Sequence, residues 1–335
     1  MKKLIKKYEN LIIPGSFALI ALLVPTILIK VGLIDAYLAQ IITLAGINAI
    51  MAISVNIVCG ITGQLSLGQA GFMAIGAYGC VILTQVLGIP SVVSVIISAL
   101  MAAFVGFLIG FPTLKLTGDY LAIVTLGFGE IIRVFLVNLR GITGGANGLR
   151  FTTILSFNSE LAYCVIIGVL ILVIVFLQNF LRSTYGRGIL AVREDEIAAN
   201  SSGISVFKYK MIGFVISAFV AGIAGALYAP YIGFIKPDIA SFSRSIDYLI
   251  FVVLGGMGSV TGSVIAAFIL TYLQEILRFL QEYRLLMYPL ILILVMLFRP
   301  QGLMGMKEIS FIGLCKKAKK FCCSIRKGKK EKNNG

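Results

Sequence analysis

Residues 182–210, RSTYGRGILAVREDEIAANSSGISVFKYK, form a long charged stretch with apolar segments on both sides. They hold five basic residues (Arg182, Arg187, Arg193, Lys208, Lys210) and three acidic ones (Glu194, Asp195, Glu196). Each such charge costs about 2.5–3.5 kcal/mol at the centre of a bilayer, even on the more lenient insertion scale. The stretch is therefore an aqueous loop between membrane segments. Its basic excess places it on the cytoplasmic side.

The rest of the chain agrees with a membrane setting. It is 59% hydrophobic and 13% charged, whereas a soluble domain carries about a quarter charged residues. A globule of 335 residues could not coat itself with so few charges. The net charge of +15 does not indicate a nucleic-acid partner. Of the 29 basic residues, four lie in the first seven positions, five in 182–210 and eleven from Arg299 onward. That distribution is the positive-inside pattern, and it puts both ends and the central loop on the cytoplasmic side.

A full span needs about 20 apolar residues. Measured that way, segments fall at 11–29, 38–58, 65–87, 92–113, 119–138, 161–181, 209–230, 244–257, 260–280 and 285–299. The stretch at 11–29 is too long for a signal-peptide core and lacks an A-x-A site, so it reads as a first transmembrane helix. The expected fold is an all-α polytopic membrane protein of about ten transmembrane segments. Segments eight and ten are short, so eight true spans with re-entrant pieces is the alternative. The organisation is a cytoplasmic N-terminus (1–10), a transmembrane domain (11–302) and a basic cytoplasmic tail (303–335) drawn to anionic membrane lipid.

Two glycine-rich stretches, Gly60–Gly71 and Gly255–Gly262, interrupt the spans. Broken backbone at membrane depth survives only beside protein or a watery cavity, and paired breaks point to a substrate path. Close helix packing at a tight turn is the other reading, and both stay open. Polar side chains cluster around the first break: Asn48 and Asn56 near one face of the second segment, then Gln64, Ser66 and Gln69. Glu130 and Arg133 are three apart and can pair within a span, as can Glu275 and Arg278 near a helix end. Such a pair is either a functional polar site or structural glue.

Inside the charged loop, Ile189, Val192, Ile197 and Ile204 recur at roughly helical spacing, and Gly203 suits a C-terminal cap. A short helix with exposed isoleucines and charges of both signs suits docking to a partner protein better than lying on a membrane. Catalytic and cofactor chemistry is not expected. There is no G-x-x-x-x-G-K-[ST] phosphate loop. Histidine is absent and the six cysteines, Cys322–Cys323 in the tail among them, fit no metal spacing.

Five motifs carry a family resemblance: GQLSLGQAGFMAIGAY (Gly63–Tyr78), GDYLAIVTLGFGEIIR (Gly118–Arg133), TGGANGL (Thr143–Leu149), AVREDEIAANSSGIS (Ala191–Ser205) and GGMGSVTGSVIAA (Gly255–Ala267). Together they resemble the permease subunits of branched-chain amino acid ABC importers, of the LivM type, over about Asn48 to Gly302. The resemblance implies a second, related permease subunit, two cytoplasmic ATPase subunits and an extracytoplasmic solute-binding protein. It makes Ala191–Ser205 the coupling helix, with Arg193, Glu194, Glu196 and Gly203 at motif positions. The family motif commonly reads R-E-N-E, and Asp195 stands here in place of the Asn. The long Lys/Cys tail departs from the family. Urea importers have similar permeases, so the resemblance leaves the solute open. From a different class, a secondary transporter or channel would work without an ATPase, but no proton relay or carboxylate ion site is evident.

Overall fold

Apolar stretches of this length must satisfy their backbone groups internally, and in hydrocarbon only helices do so within one segment. The computed structural model follows that rule. It describes residue 26 and residues 35–116, 118–151, 159–279, 284–299 and 302–305. The expected N-terminal region 1–10, nearly all of the first segment at 11–29 and the tail beyond residue 305, with Cys322 and Cys323, lie outside the described residues.

Helix α1 (Ala36–Val55) runs into a π-helical turn (Asn56–Ile61). It is followed by α2 (Gln69–Gln85), α3 (Ser91–Thr113), α4 (Asp119–Asn138) and α5 (Ser159–Arg182). The charged loop holds α6 (Thr184–Glu194) and α7 (Glu196–Ser201). The remaining long helices are α8 (Val206–Ile232), α9 (Phe242–Gly255), α10 (Val260–Ile276) and α11 (Arg284–Phe298), with short helical turns at Arg140–Thr143, Gly145–Asn147 and Pro237–Ala240. The strands among the described residues form one two-stranded antiparallel ladder, Leu149 opposite Ile235 and Arg150 opposite Phe234.

The fold is all-α in character, as expected, but the span count is smaller on these residues. Six helices are long and apolar enough to cross a membrane: Tyr37–Ile61, Ser91–Thr113, Asp119–Asn138, Glu160–Arg182, Val206–Ile232 and Val260–Phe279. The expected segments at 65–87, 244–257 and 285–299 become helices of 17, 14 and 15 residues, below the roughly 20 of a full span. The physical reason for the first is its glycine-rich beginning. Residues 62–68 are not helical, and α2 starts only at Gln69.

Helix α8 is the spine. It packs against α1, α2 and α3. Its contact faces are built of small residues, among them Ala218, Ala221, Ala224 and Ala229, all fully buried. Small residues let membrane helices approach backbone to backbone. A Cβ on Gly225 would lie 1.9 Å from the Met73 carbonyl oxygen, and one on Gly76 would lie 2.2 Å from that of Gly222. No flexible side chain can yield there. Gly225→Val is therefore expected to destabilise the chain by about 1–3 kcal/mol or more. The check is the thermal midpoint of the detergent-solubilised protein, and an unchanged midpoint would contradict this packing.

Helix α8 also sets the long dimension. It leaves the charged loop at Val206 and ends at Ile232, about 40 Å away at 1.5 Å per residue. The loop and the β-ladder thus sit at opposite ends of the molecule.

Candidate functional site

The break between α1 and α2 concentrates buried polar groups. The π-helical turn ends α1, with the Thr62 N–H reaching back five residues to the Ile57 carbonyl. Helix α2 then begins at Gln69. Near its open N-terminus, the Leu67 N–H donates to Thr125 Oγ1 at 3.1 Å and the Ala70 N–H to Ser245 Oγ at 3.4 Å. Hydroxyls from α4 and α9 thus satisfy donors that a helix start leaves free.

Gln69 is buried against two serines. Its Oε1 accepts from Ser54 Oγ and from Ser217 Oγ, each at 3.2 Å. Each hydroxyl's single hydrogen is shared with a second acceptor, Ser54 Oγ lying 2.9 Å from the Ser217 carbonyl oxygen and Ser217 Oγ 2.8 Å from the Ser54 carbonyl oxygen. Ser217 is the twelfth residue of α8, about 16 Å along it from the loop end. The cluster therefore lies at mid-depth, where α1, α2 and α8 meet.

Asn56 ties this break to the second one. Its Oδ1 accepts from the Gly258 N–H at 2.8 Å. Gly60 makes room for that bond, because a Cβ there would lie 1.9 Å from Asn56 Oδ1 and 2.4 Å from the Gly258 nitrogen. Gly258 itself has φ +90° and Gly256 φ +105°, a region that favours glycine. Residues 302–305 fold onto the same turn, with the Leu303 N–H donating to the Leu254 carbonyl at 2.7 Å. The two glycine-rich stretches, separate in sequence, are one site.

Five side-chain atoms of this site are buried without a hydrogen-bond partner among the described residues: Asn56 Nδ2, Gln64 Oε1 and Nε2, Ser66 Oγ and Gln69 Nε2. Each such group costs about 1–3 kcal/mol if left unsatisfied. A concentration of them within 56–69 is not explained by packing of this chain alone. It suits an interior polar pocket at the two breaks that water can enter.

The other expected path residues lie elsewhere. Asn48 Nδ2 donates to Thr271 Oγ1 at 3.0 Å, linking α1 to α10. It shares with Asn56 the face of α1 that looks toward the α9–α10 unit. Glu130 pairs with Arg133 at 2.6 Å, but about a third of each side chain is exposed in the single chain. The expected membrane-buried pair is therefore not sealed inside this subunit. Glu130 Oε1 additionally accepts from the Phe242 N–H at 3.3 Å, holding the start of α9. Glu275 and Arg278 pair at 3.0 Å near the end of α10, with Tyr37 also donating to Glu275.

The charged loop departs from the single helix expected. It forms two helices, α6 and α7, that break at Asp195, whose backbone is extended (φ −157°, ψ 111°). The Asp195 carboxylate accepts from the Ile197 N–H at 2.8 Å and the Ala198 N–H at 3.0 Å. It is the N-cap of α7, a role that Asp fills as well as Asn. Asp195→Ala is expected to cost about 0.5–2 kcal/mol of local stability. Faster hydrogen exchange confined to residues 196–203 would report it. Gly203, at φ +80°, closes α7 as expected. The Ile204 N–H reaches back to the Ala199 carbonyl at 3.0 Å, a Schellman-type end.

Only part of the loop is available to a partner. Ile189 and Val192 are buried, contrary to the exposed row expected, while Ile197 is 81% exposed. Glu194 is exposed. Glu196 is half exposed but bound within the chain, to Lys210 at 2.5 Å. Arg193 points the other way, into the membrane domain. A Cβ on Gly63 would lie 3.1 Å from Arg193 Cγ, and one on Gly258 would lie 3.0 Å from its Nη1. The Arg193 stem therefore lies against the first break and its guanidinium against the second.

Sequence reading missed Ser54, Ser217, Thr125 and Ser245, which complete the polar break. Ser217 carried a signal, as a lone hydroxyl deep in an apolar run. The Arg193 contact carried none, because its partners are backbone far away in sequence.

No solved structure matches the chain. The family described as "branched-chain amino acid transport system / permease component" matches residues 37–297. The chain is 40% identical over 296 residues to the high-affinity branched-chain amino acid transport system permease protein LivM of Escherichia coli, covering 80% of this chain and 70% of that protein. It is 26% identical over 291 residues to the E. coli permease protein LivH, covering 80% and 94%. The probable permease LivM of Methanocaldococcus jannaschii is 27% identical over 241 residues, covering 64% and 69%. The matched region takes in both glycine-rich breaks, Arg193 and the α6–α7 loop, and the chain belongs to the family of branched-chain amino acid transport permeases.

Proposed function

We propose that this chain is the membrane permease subunit of an ATP-driven importer that carries branched-chain amino acids into a bacterial cell. It lines the path together with a second, related permease subunit. Two cytoplasmic ATPase subunits drive it and an extracytoplasmic binding protein delivers the solute. The N-terminus, the α6–α7 loop and the basic tail face the cytoplasm. The chain is not itself an enzyme.

One observation carries the reading. A charged loop reaches, through Arg193, both backbone breaks beside a buried patch of unpaired polar atoms. That is a mechanical link between a docking element and a polar route. Motion applied to α6–α7 is transmitted to the turn at Gly256–Gly258 and to the π-helical turn at Asn56. Within α6–α7, Glu194, Ile197 and the Gly203 end form the face offered to an ATPase. Asn56, Gln64, Ser66 and Gln69 line the route, Asn48 extends it toward α10, and Glu130 holds α9 beside it. The permeases named above supply the solute class.

Uptake in a strain deleted for this gene tests the proposal. Leucine, isoleucine and valine uptake should fall, return with the gene on a plasmid, and stop when ATP is depleted. Valine should compete with leucine and urea should not. Uptake that persists on an ion gradient without the ATPase subunits would refute the reading.

A further inference from the structure

At the end of α8 far from the α6–α7 loop there is a cavity of about 330 Å³. We infer that this cavity is an entry site for one free zwitterionic amino acid with an aliphatic side chain, occupied before the solute reaches the polar break at mid-depth. The inference rests on the proposed function for its solute class and adds a separate site to it.

The lining has the chemistry such a ligand needs. Tyr228 and Ile232 from α8, with Phe234 and Ile239 from the following segment, supply an apolar wall. Lys236, Asp238 and Arg244 add charges of both signs to the same cavity. Among the described residues none of the three is in an ion pair, although the Asp247 carboxylate, one turn further along α9, is within electrostatic range of Arg244. Lys236 is engaged over the Phe234 ring, its Nζ 5.5 Å from the centroid. Arg244 is then the carboxylate partner and Asp238 the ammonium partner. An anionic or cationic solute would leave one of these groups opposed to a like charge. A zwitterion satisfies both, and its side chain covers the apolar wall. The volume lies at the small end of the roughly 300–1,000 Å³ typical of small-molecule sites, which suits one amino acid rather than a peptide.

The walls are held in place. The ladder of Leu149–Arg150 with Phe234–Ile235 fixes one side, extended by the Phe151 N–H donating to the Gly233 carbonyl at 2.8 Å. The TGGANGL motif, which the polar break does not use, buttresses that ladder. A Cβ on Gly148 would lie 2.2 Å from the Ile235 carbonyl oxygen. Thr143 Oγ1 anchors the motif by donating to the Leu136 carbonyl at 2.6 Å. On the other side, the Glu130 bond to the Phe242 N–H holds the first turn of α9, which carries Arg244.

The test is direct binding of radiolabelled leucine to the assembled permease–ATPase complex in lipid nanodiscs, without binding protein, by scintillation proximity. Saturable binding is expected, weakened tenfold or more by Arg244→Gln and by Asp238→Asn. 4-Methylpentanoate, which lacks the ammonium, and isoamylamine, which lacks the carboxylate, should each compete at least tenfold less well than leucine. Size-exclusion profiles of the two cavity variants should match the parent, since both side chains are exposed. Unchanged leucine affinity in both variants would overturn the site. So would loss of binding-protein-stimulated uptake with leucine binding intact, which would make the cavity a docking surface for that protein. A complex that takes up leucine with its binding protein but shows no saturable binding alone defeats the entry site and leaves the proposed function standing. A complex that never takes up leucine defeats the proposed function itself.

Discussion

An Arg193→Ala chain is expected to reach the membrane and assemble with its partners, yet to lose uptake by about tenfold or more, equivalent to about 1.4 kcal/mol on the transport barrier. The side chain lies between the two glycine-rich breaks, with its stem at Gly63 and its guanidinium at Gly258. Truncation to Cβ removes the one loop side chain found against both. Motion imposed on α6 would then be absorbed by the gap. Arg193→Lys should recover only part of the activity, because an ammonium lacks the planar fork that lies along backbone. The measurement is leucine uptake beside ATP hydrolysis in proteoliposomes. Hydrolysis that continues while uptake falls is the expected signature of lost coupling. Normal uptake by the alanine variant would show that the contact transmits nothing.

This variant is a cleaner probe than inverting the neighbouring acids. Glu196 is bound to Lys210, so Glu196→Lys would place two ammonium groups together and disturb the loop itself. Any loss of ATPase binding would then have two causes. Glu194 is exposed, and single rim charges contribute about 0–1 kcal/mol.

The second large effect is expected at Gln69. Gln69→Leu removes the acceptor shared by Ser54 and Ser217 and places an apolar group at mid-depth. The serines keep their bonds to each other's carbonyl oxygens, so the three helices should stay together. A buried polar group that loses its partner costs about 1–3 kcal/mol, a loss the fold can absorb here. Uptake should nonetheless fall tenfold or more, because Gln69 Nε2 belongs to the buried, unpaired polar set proposed to form the route. Asn56→Leu is expected to do more damage to folding, since it releases the Gly258 turn. Comparing the two separates route from scaffold. The check is uptake normalised to protein extracted in folded form. Wild-type uptake by the Gln69 variant would make the cluster packing only.

Much of the architecture was legible without coordinates. Apolar runs in a bilayer have one backbone solution, so helices at 38–58, 92–113, 119–138, 161–181, 209–230 and 260–280 followed from composition and length. The charged loop followed from the cost of burying its charges. The Gly203 cap was legible because a positive-φ helix end favours glycine. Local chemistry also predicted that 60–71 and 255–262 would be irregular.

What the sequence alone did not decide was what meets what. Nothing local to Asn56 specifies the Gly258 N–H, 202 residues away, and nothing local to Gln69 specifies Ser217. Helical spacing suggested one amphipathic helix in the loop, but the Asp195 carboxylate competes for the Ile197 and Ala198 N–H groups and divides it. Burial of Ile189 and Val192 depends on the membrane domain beneath them, which periodicity does not encode. The apolar pattern, the charge pattern and the caps are properties of neighbouring residues, and the sequence determined them. The joining of two breaks into one site, the inward turn of Arg193 and the mixed-charge cavity at the far end depend on contacts between distant segments, and only the tertiary structure decided those.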